Sequence, residues 1–302
     1  MTTTPTLAME RMLSMPPLHI HLEVHAKASL IRLLATSNIR VRNLDNVLIN
    51  EINSNPILSM VSDKMTPSYR IDKPFNVLIA EASEWQSIHN SIEQSALVWY
   101  TDGSKMDDSS GAGVFRLRPK FKLHIPMGKY ATVFQAEITA IWVCILENLR
   151  RQYKGQRIYI LSDSQASLLA LKSDKITSKL VLSCLESLMT LGSSNRVTLV
   201  WVPGHMGIPG NEAADELVRK GSNSPFIGPE PFCGISDATI KKEIHTWIQA
   251  REAEHWNNST GHRQAKLFLI ECSESQIREV YKLNSVERKM KRLYTSYAIA
   301  KQ

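Results

Sequence analysis

The order of strand-like and helix-like segments between residues 96 and 220 most constrains what this chain can fold into. Three apolar, β-rich segments come first, at residues 96–100, 111–117 and 121–125. Segments with helical periodicity and further β-rich runs then alternate along the chain. The helical segments are 133–149, 165–171, 178–191 and 211–220, and the β-rich runs are 157–161 and 196–202. Leading strands followed by alternation predict an α/β domain with a mixed, five-stranded sheet flanked by helices.

The segments on either side of this region have different patterns. Residues 1–53 are predicted to be helical, because apolar residues recur at helical spacing over 21–35. Residues 54–93 are interrupted by prolines, which predicts a linker. Residues 224–302 are polar and basic and are predicted to be helical. We therefore expect a central domain at 94–223, with helical extensions at both ends.

Composition excludes several classes of protein. The chain is 43% hydrophobic and 22% charged, which is typical of globular proteins. No run reaches 18 consecutive apolar residues, and the first residues do not resemble a secretory signal. The four cysteines lie far apart without C-x-x-C spacing, which indicates free thiols in a reducing compartment. We expect an intracellular protein without a membrane partner.

The positive charge is concentrated outside the first third of the chain. The formal net charge is +7, and residues 94–223 hold 16 basic and 11 acidic side chains. This excess favours a phosphate-bearing partner such as a nucleic acid. Ordinary solubilising charge explains it equally well.

Four carboxylates lie where predicted strands and helices begin or end: Asp102, Glu137, Asp163 and Asp215. Asp102 and Asp163 each follow an apolar strand, and they converge if those strands are parallel neighbours. Converging acids repel one another unless cations neutralise them, and oxygen ligands of this kind suit Mg²⁺ or Mn²⁺. Taken singly, each acid is more simply explained as a turn, capping or solvated helix residue.

A histidine, His205, lies in a predicted loop at 202–210 that contains three glycines and two prolines. Glycines beside a histidine permit movement and close approach. A mobile imidazole near the acids could relay protons. The alternative is an ordinary histidine on a surface loop.

Four motifs resemble those of the type 1 ribonucleases H. They are Tyr100-Thr101-Asp102-Gly103-Ser104, Phe134-Gln135-Ala136-Glu137, Leu161-Ser162-Asp163-Ser164-Gln165, and the stretch from Pro203-Gly204-His205 to Asn211-Glu212-Ala213-Ala214-Asp215. They occur in the family's order, and the residue numbers of successive acids differ by 35, 26 and 52. The resemblance covers about 130 residues and implies a ribonuclease H-like fold.

This resemblance also implies roles for individual residues. The four acids would hold two Mg²⁺ or Mn²⁺ ions, and His205 would be the mobile catalytic histidine. Gln165 would contact an RNA–DNA hybrid near the ribose 2′-hydroxyls, which distinguish RNA from DNA. Gly103, Ser104 and Asn211 are further candidates for contact with the hybrid. Capping of the helix at 211–220 is an equally good account of Asn211.

The ends of the chain resemble parts of insect-type non-LTR retrotransposon polyproteins. Residues 3–34 are similar to the end of the reverse transcriptase region, and Thr260-Gly261-His262 to a motif that follows the nuclease domain. The Tyr- or Phe-x-Asp-Asp motif of a polymerase site is missing. The resemblance implies a retrotransposon fragment, with a reverse transcriptase supplied separately as a candidate partner.

The leading hypothesis is an endonuclease that hydrolyses the RNA strand of RNA–DNA hybrids with two metal ions and leaves 5′-phosphates. The alternative is a non-catalytic nucleic-acid-binding product of a decayed retrotransposon. A related nuclease or integrase is less favoured, because those enzymes usually order their acids Asp, Asp, Glu. Here Glu137 comes second, and the His205 loop precedes Asp215.

Overall fold

The structure is a computed structural model that describes residues 6–12, 15–36, 47–106, 109–230, 232–260, 263 and 265–267. It divides into two compact units. One unit comprises Met1–Leu30 and Lys241–Gln302, and the other comprises Ile31–Ile240. The acids singled out above all lie in the second unit.

Eight strands and nine α-helices are found in the part of the chain that the structure describes. The strands are β1 (Lys64–Tyr69), β2 (Phe75–Leu78), β3 (Leu97–Met106), β4 (Ser109–Arg116), β5 (Phe121–Gly128), β6 (Arg157–Ser162), β7 (Lys175–Ser178) and β8 (Arg196–Trp201). The helices are α1 (Thr6–Met12), α2 (Leu18–Thr36), α3 (Val47–Ser54), α4 (Trp85–Ser91), α5 (Val133–Arg150), α6 (Gln165–Lys172), α7 (Lys179–Gly192), α8 (Pro209–Asn223) and α9 (Asp237–Asn258).

The main sheet has six strands in the order β2-β8-β6-β3-β4-β5. β3, β4 and β5 are joined by antiparallel pairing, whereas β2, β8, β6 and β3 run parallel to one another. The predicted α/β fold with a mixed sheet flanked by helices is confirmed. The expected strand count was five, and the structure adds β2 at the edge beside β8. A four-residue run directly after a proline carries too little pattern to show which strand it pairs with.

Helices pack against the sheet and complete the apolar core. α5 contacts β3, β4 and β6 and also packs against α7, while α8 contacts β3, β4 and β5. Trp99, Ile160 and Leu199, from three adjacent strands, are fully buried in the main core cluster. At Gly113 a Cβ atom would collide with the backbone carbonyl of Ala214, so glycine there lets α8 lie close to β4.

The segment predicted as a linker instead contributes structure to the second unit. β1 pairs with β7 in a separate two-stranded sheet, and β2 joins the main sheet. The Lys73 ammonium donates to the carbonyl oxygens of Leu171, Lys172 and Ser173, at 3.2, 2.7 and 2.8 Å, which satisfies the end of α6. These contacts join residues far apart in the sequence. The prolines on which the linker prediction rests are a local signal and contain no information about such contacts.

Asp63 provides a second polar attachment of this segment. The residue is 6% exposed, and its carboxylate accepts hydrogen bonds from the Ser178 hydroxyl at 2.6 Å and the Leu180 amide at 2.9 Å. Its carbonyl oxygen accepts the Lys179 amide at 2.8 Å. Asp63 therefore supplies acceptors to the N-terminus of α7, although it lies more than 100 residues away in sequence.

The described helices of the first unit are α1, most of α2 and most of α9. Residues of α2 and α9 contact each other through Lys27, whose ammonium lies 3.7 Å from the centroid of the Trp247 ring. Glu23 and Arg251 form an ion pair at 3.7 Å. Of the polar and basic region predicted at 224–302, residues 268–302 lie outside the described part of the chain. Among the helices that are described, none combines the length and apolar character needed to cross a membrane.

We predict that Asp63→Ala destabilises the second unit, because two donors at the start of α7 lose their acceptor. The loss of a helix cap together with unsatisfied buried donors should lower the free energy of unfolding by about 1–3 kcal/mol. Urea unfolding followed by circular dichroism measures this change. The exposed Asp72 lies in the same segment and makes Asp72→Ala a matched control with little effect. Equal stability of the two variants would contradict the contribution of this segment.

Candidate metal centre

Two of the four predicted acids are brought together by strand register. β3 and β6 are parallel, and Thr101 is paired with Ser162. The next residue in each strand direction is an aspartate, so Asp102 and Asp163 lie side by side. The Thr101 hydroxyl donates to the carbonyl of Leu161 at 3.1 Å and further joins the two strands.

Glu137 reaches the same place from the first turns of α5. The helix begins at a capping box in which the Thr132 hydroxyl accepts the Gln135 amide and the Gln135 side chain accepts the Thr132 amide. A Cβ atom at position 103 would collide with the backbone of Ala136 and Glu137. Glycine at 103 therefore allows the start of α5 to approach β3 closely enough to place Glu137 beside Asp102.

The carboxylates of Asp102, Glu137 and Asp163 form a compact cluster. Each offers an oxygen, and these oxygens all lie within 4.8 Å of one another. Asp102 is 8% exposed and Glu137 is 5% exposed. The structure thus gathers three of the four acids that the sequence singles out.

Burial raises the pKa values of all three carboxyl groups, and repulsion from neighbouring carboxylates raises them further. Burial, followed by the charges of Asp163 and Asp215, raises the pKa of Asp102 from 3.8 to about 7. Burial, and next the charge of Asp102, raises the pKa of Glu137 well above its usual value. Burial also raises the pKa of Asp163, although a hydrogen bond from Asn211 acts in the opposite direction. A cation bound among these carboxylates would therefore favour their ionised form.

The donor set fits a hard divalent cation. Three carboxylates within a few ångströms supply the oxygen ligands that Mg²⁺ and Mn²⁺ prefer. One Glu137 oxygen, Oε2, is buried and has no hydrogen-bond partner. A buried carboxylate oxygen without a partner is costly unless a ligand satisfies it. The Asp-Glu-Asp cluster is thus compatible with divalent-metal binding.

The fourth predicted acid, Asp215, lies near the cluster but outside the group of oxygens within 4.8 Å. It is close enough for its charge to raise the pKa values of Asp102 and Asp163. Its own carboxylate accepts a hydrogen bond from the Arg219 guanidinium at 2.6 Å. The structure therefore brings three of the four acids close together, whereas Asp215 is paired with the Arg219 guanidinium.

His205 occupies an exposed loop between β8 and α8, as the sequence predicts. Its backbone φ is 55°, and that of Gly207 is 69°, so the loop uses the left-handed region twice within three residues. A positive charge on His205 would lower the pKa values of Asp102 and Asp163. The loop thus holds the imidazole close to the acids without burying it.

The predicted hybrid-contacting residues fall into two groups. Gln165 is exposed at the first position of α6, two residues after Asp163, and Ser104 is half-buried in β3. Gly103 and Asn211 are buried. The Asn211 side-chain amide is 3.4 Å from Asp163 Oδ2, so this buried side chain lies against Asp163 rather than on the surface.

Asn211 does not cap the last helix of the domain. α8 begins earlier, with Ile208 at the N-cap and Pro209 in its first turn. Proline at this position lacks only an amide that the helix leaves unpaired, so it starts a helix well. The Asn211 side chain is therefore available to orient Asp163.

Sequence reasoning missed three residues that support the site. The buried Ser162 hydroxyl hydrogen-bonds to Glu137, and the Trp201 indole nitrogen donates to the Asp163 carbonyl oxygen at 3.0 Å. Arg219 pairs with Asp215 one helical turn away. Only Arg219 had a local signal, the i, i+4 spacing of opposite charges on a helix.

Together, the mixed sheet and the buried acid cluster define an α/β domain compatible with divalent-metal binding. The sequence model of the RNase H family matches residues 94–223, which contain the whole cluster. This part of the chain is therefore an RNase H domain, and the match supports a nuclease.

We predict that Asp102→Asn stabilises the metal-free protein at pH 8. The folded-state pKa of about 7 lies above the ordinary value of 3.8, so ionisation of Asp102 opposes folding progressively between these two pH values. The variant should gain about 1–4 kcal/mol at pH 8 and little near pH 4, since one pKa unit corresponds to 1.36 kcal/mol. Urea unfolding in EDTA at pH 4, 6 and 8 measures the gain.

Asp72→Asn, at an exposed position, is the control for this measurement. A gain that is equal at pH 4 and pH 8 would argue against buried, repelled charge at Asp102.

Proposed function

We propose that residues 94–223 hydrolyse the RNA strand of RNA–DNA hybrids endonucleolytically and leave 5′-phosphate ends. The single observation that carries this proposal is the buried Asp102–Glu137–Asp163 cluster within an RNase H domain. A shared fold alone would not assign the reaction, because function depends on the site. Here the site residues coincide with the four motifs that resemble type 1 ribonucleases H.

Asp102, Glu137, Asp163 and Asp215 would hold two Mg²⁺ or Mn²⁺ ions. When bound, such ions activate water and stabilise the leaving oxygen of a phosphodiester. The unpartnered Glu137 Oε2 supports this assignment on the protein side. The amide of Gly103 hydrogen-bonds to the carboxylates of Asp102 and Glu137 and keeps both oriented toward the shared space.

Other residues would handle protons and the substrate. His205, exposed beside the cluster, would accept or deliver a proton during hydrolysis or product release. Gln165 and Ser104 would contact the hybrid, the former near a 2′-hydroxyl. Gly103 would approach a phosphate through its backbone. The buried position of Asn211 favours orientation of Asp163 over a direct contact with the hybrid.

The origin of the chain is a separate proposal. The similarity of residues 3–34 and of Thr260-Gly261-His262 to insect-type non-LTR retrotransposon polyproteins supports a fragment that includes the end of a reverse transcriptase region. In that case, a separately supplied reverse transcriptase would deliver the hybrid. The excess of basic over acidic side chains in residues 94–223 fits such a substrate.

Cleavage of a labelled RNA–DNA hybrid by the purified chain tests the nuclease directly. We expect cutting of the RNA strand alone in Mg²⁺ or Mn²⁺, and none in EDTA. Asp163→Asn should reduce the rate at least about a hundredfold, since even residues that only support a metal ligand often cost 10–100-fold. Asp174→Asn is the matched control, because that side chain is 63% exposed and lies on a surface turn.

If the folded wild-type chain binds the hybrid in both metals but cuts neither strand, the enzyme assignment fails. That outcome would favour the non-catalytic nucleic-acid-binding product. Circular dichroism of each variant excludes loss of folding as the cause.

A second prediction concerns the histidine loop. His205→Ala should lower the single-turnover cleavage rate about a hundredfold, which is typical for loss of general acid–base catalysis. Affinity for the hybrid, measured by fluorescence anisotropy in Ca²⁺, should stay within about twofold because the imidazole is not a structural contact. His89→Ala, at an exposed position of α4, is the control. An unchanged rate would assign His205 to an ordinary surface loop.

A further inference from the structure

We propose that Arg219 is a positioning residue that holds the Asp215 carboxylate out of the metal-binding cluster until a divalent cation competes for it. This inference rests on the proposed function, because it concerns the same site. It adds a component that neither the motifs nor the domain match assigns.

The geometry of α8 creates the competition. Asp215 and Arg219 are four residues apart, so the helix places them on one face, and Arg219 Nη2 lies 2.6 Å from Asp215 Oδ2. The Asp215 side chain is 17% exposed, whereas that of Arg219 is 61% exposed. The acid therefore faces the cluster, while the guanidinium approaches it from the solvent side.

Asp215 differs from the other three acids in this respect. Among the residues that the structure describes, no lysine or arginine forms an ion pair with Asp102, Glu137 or Asp163. Their oxygens share one space, and the oxygens of Asp215 lie outside that group. Asp215, the acid that forms an ion pair with an arginine, is thus also the acid whose oxygens lie outside the cluster.

The ion pair between Asp215 and Arg219 is weak enough for a bound divalent cation to displace Arg219. A largely exposed ion pair contributes little, because water and salt compete for both partners. A divalent cation among several carboxylates offers Asp215 a stronger partner at the cluster. Arg219 would therefore weaken metal binding by only about 1.5- to 5-fold, which corresponds to the range for exposed pairs.

The same helix contains a pair that serves as an internal control. Lys220 and Glu216 are also four residues apart, with their charged atoms 2.8 Å apart and both side chains about 60% exposed. If these pairs only stabilise α8, removing either cation should have the same effect. If Arg219 restrains Asp215, only its removal should change metal affinity.

Titration of the full-length chain with Mn²⁺, without nucleic acid, tests this inference. Free Mn²⁺ is measured by electron paramagnetic resonance for wild type, Arg219→Gln, Lys220→Gln and Arg219→Lys. We expect Arg219→Gln to bind Mn²⁺ about 1.5- to 5-fold more tightly, and the two other variants to match wild type. In an Asp215→Asn background, Arg219→Gln should have no effect.

Each other outcome overturns the inference in a distinguishable way. Equal affinity of wild type and Arg219→Gln would show that the pair does not compete with metal, and would leave the proposed nuclease intact. Persistence of the tightening in the Asp215→Asn background would assign it to general charge near the site. If wild type bound no Mn²⁺, or if Asp163→Asn bound it unchanged, the metal centre itself would fall, and the proposed function with it.

Discussion

Parallel pairing of β3 with β6 imposes the constraint around which the site is built, since it places Asp102 and Asp163 side by side where the pairing of these two strands ends. Buried strands are stabilised by apolar contacts, and here Ile160 and Trp99 are fully buried in the core beneath the acids. The stability of the sheet thus holds two like charges together against their repulsion. Any chemistry of this domain begins from that enforced proximity.

The surroundings of the cluster reduce the repulsion without removing it. The Gly103 amide, the Ser162 hydroxyl and the Asn211 side chain donate hydrogen bonds to the carboxylates. Even so, the pKa of Asp102 stays near 7, and that of Glu137 is raised well above its usual value. Raised pKa values of this kind are typical of functional sites, where ionisable groups are held in positions that lower protein stability. A divalent cation would turn the same arrangement from unfavourable to favourable.

The unit that carries this site extends beyond the matched domain. Asp63 supplies acceptors to the start of α7, and β2 extends the sheet by one strand. From beyond the C-terminal boundary of the matched residues, the carbonyl of Gly234 accepts a hydrogen bond from the Gln135 side chain at 2.8 Å. Because Gln135 is part of the capping box of α5, this contact helps to fix the helix that presents Glu137. Residues outside 94–223 therefore support the geometry of the site indirectly.

Hydrophobic periodicity by itself indicated the mixed α/β class and the elements from β3 to α8 except β7, and the motifs singled out the four acids. These signals are local, because a strand or an amphipathic helix repeats its pattern within a few residues. Only the tertiary structure decided how strands from residues 54–93 pair, that Asn211 is buried beside Asp163, and that Asp215 lies outside the cluster of the other three acids. Those outcomes depend on which segments far apart in the sequence pack against one another. A local sequence pattern does not contain this information, because such contacts follow from packing in three dimensions.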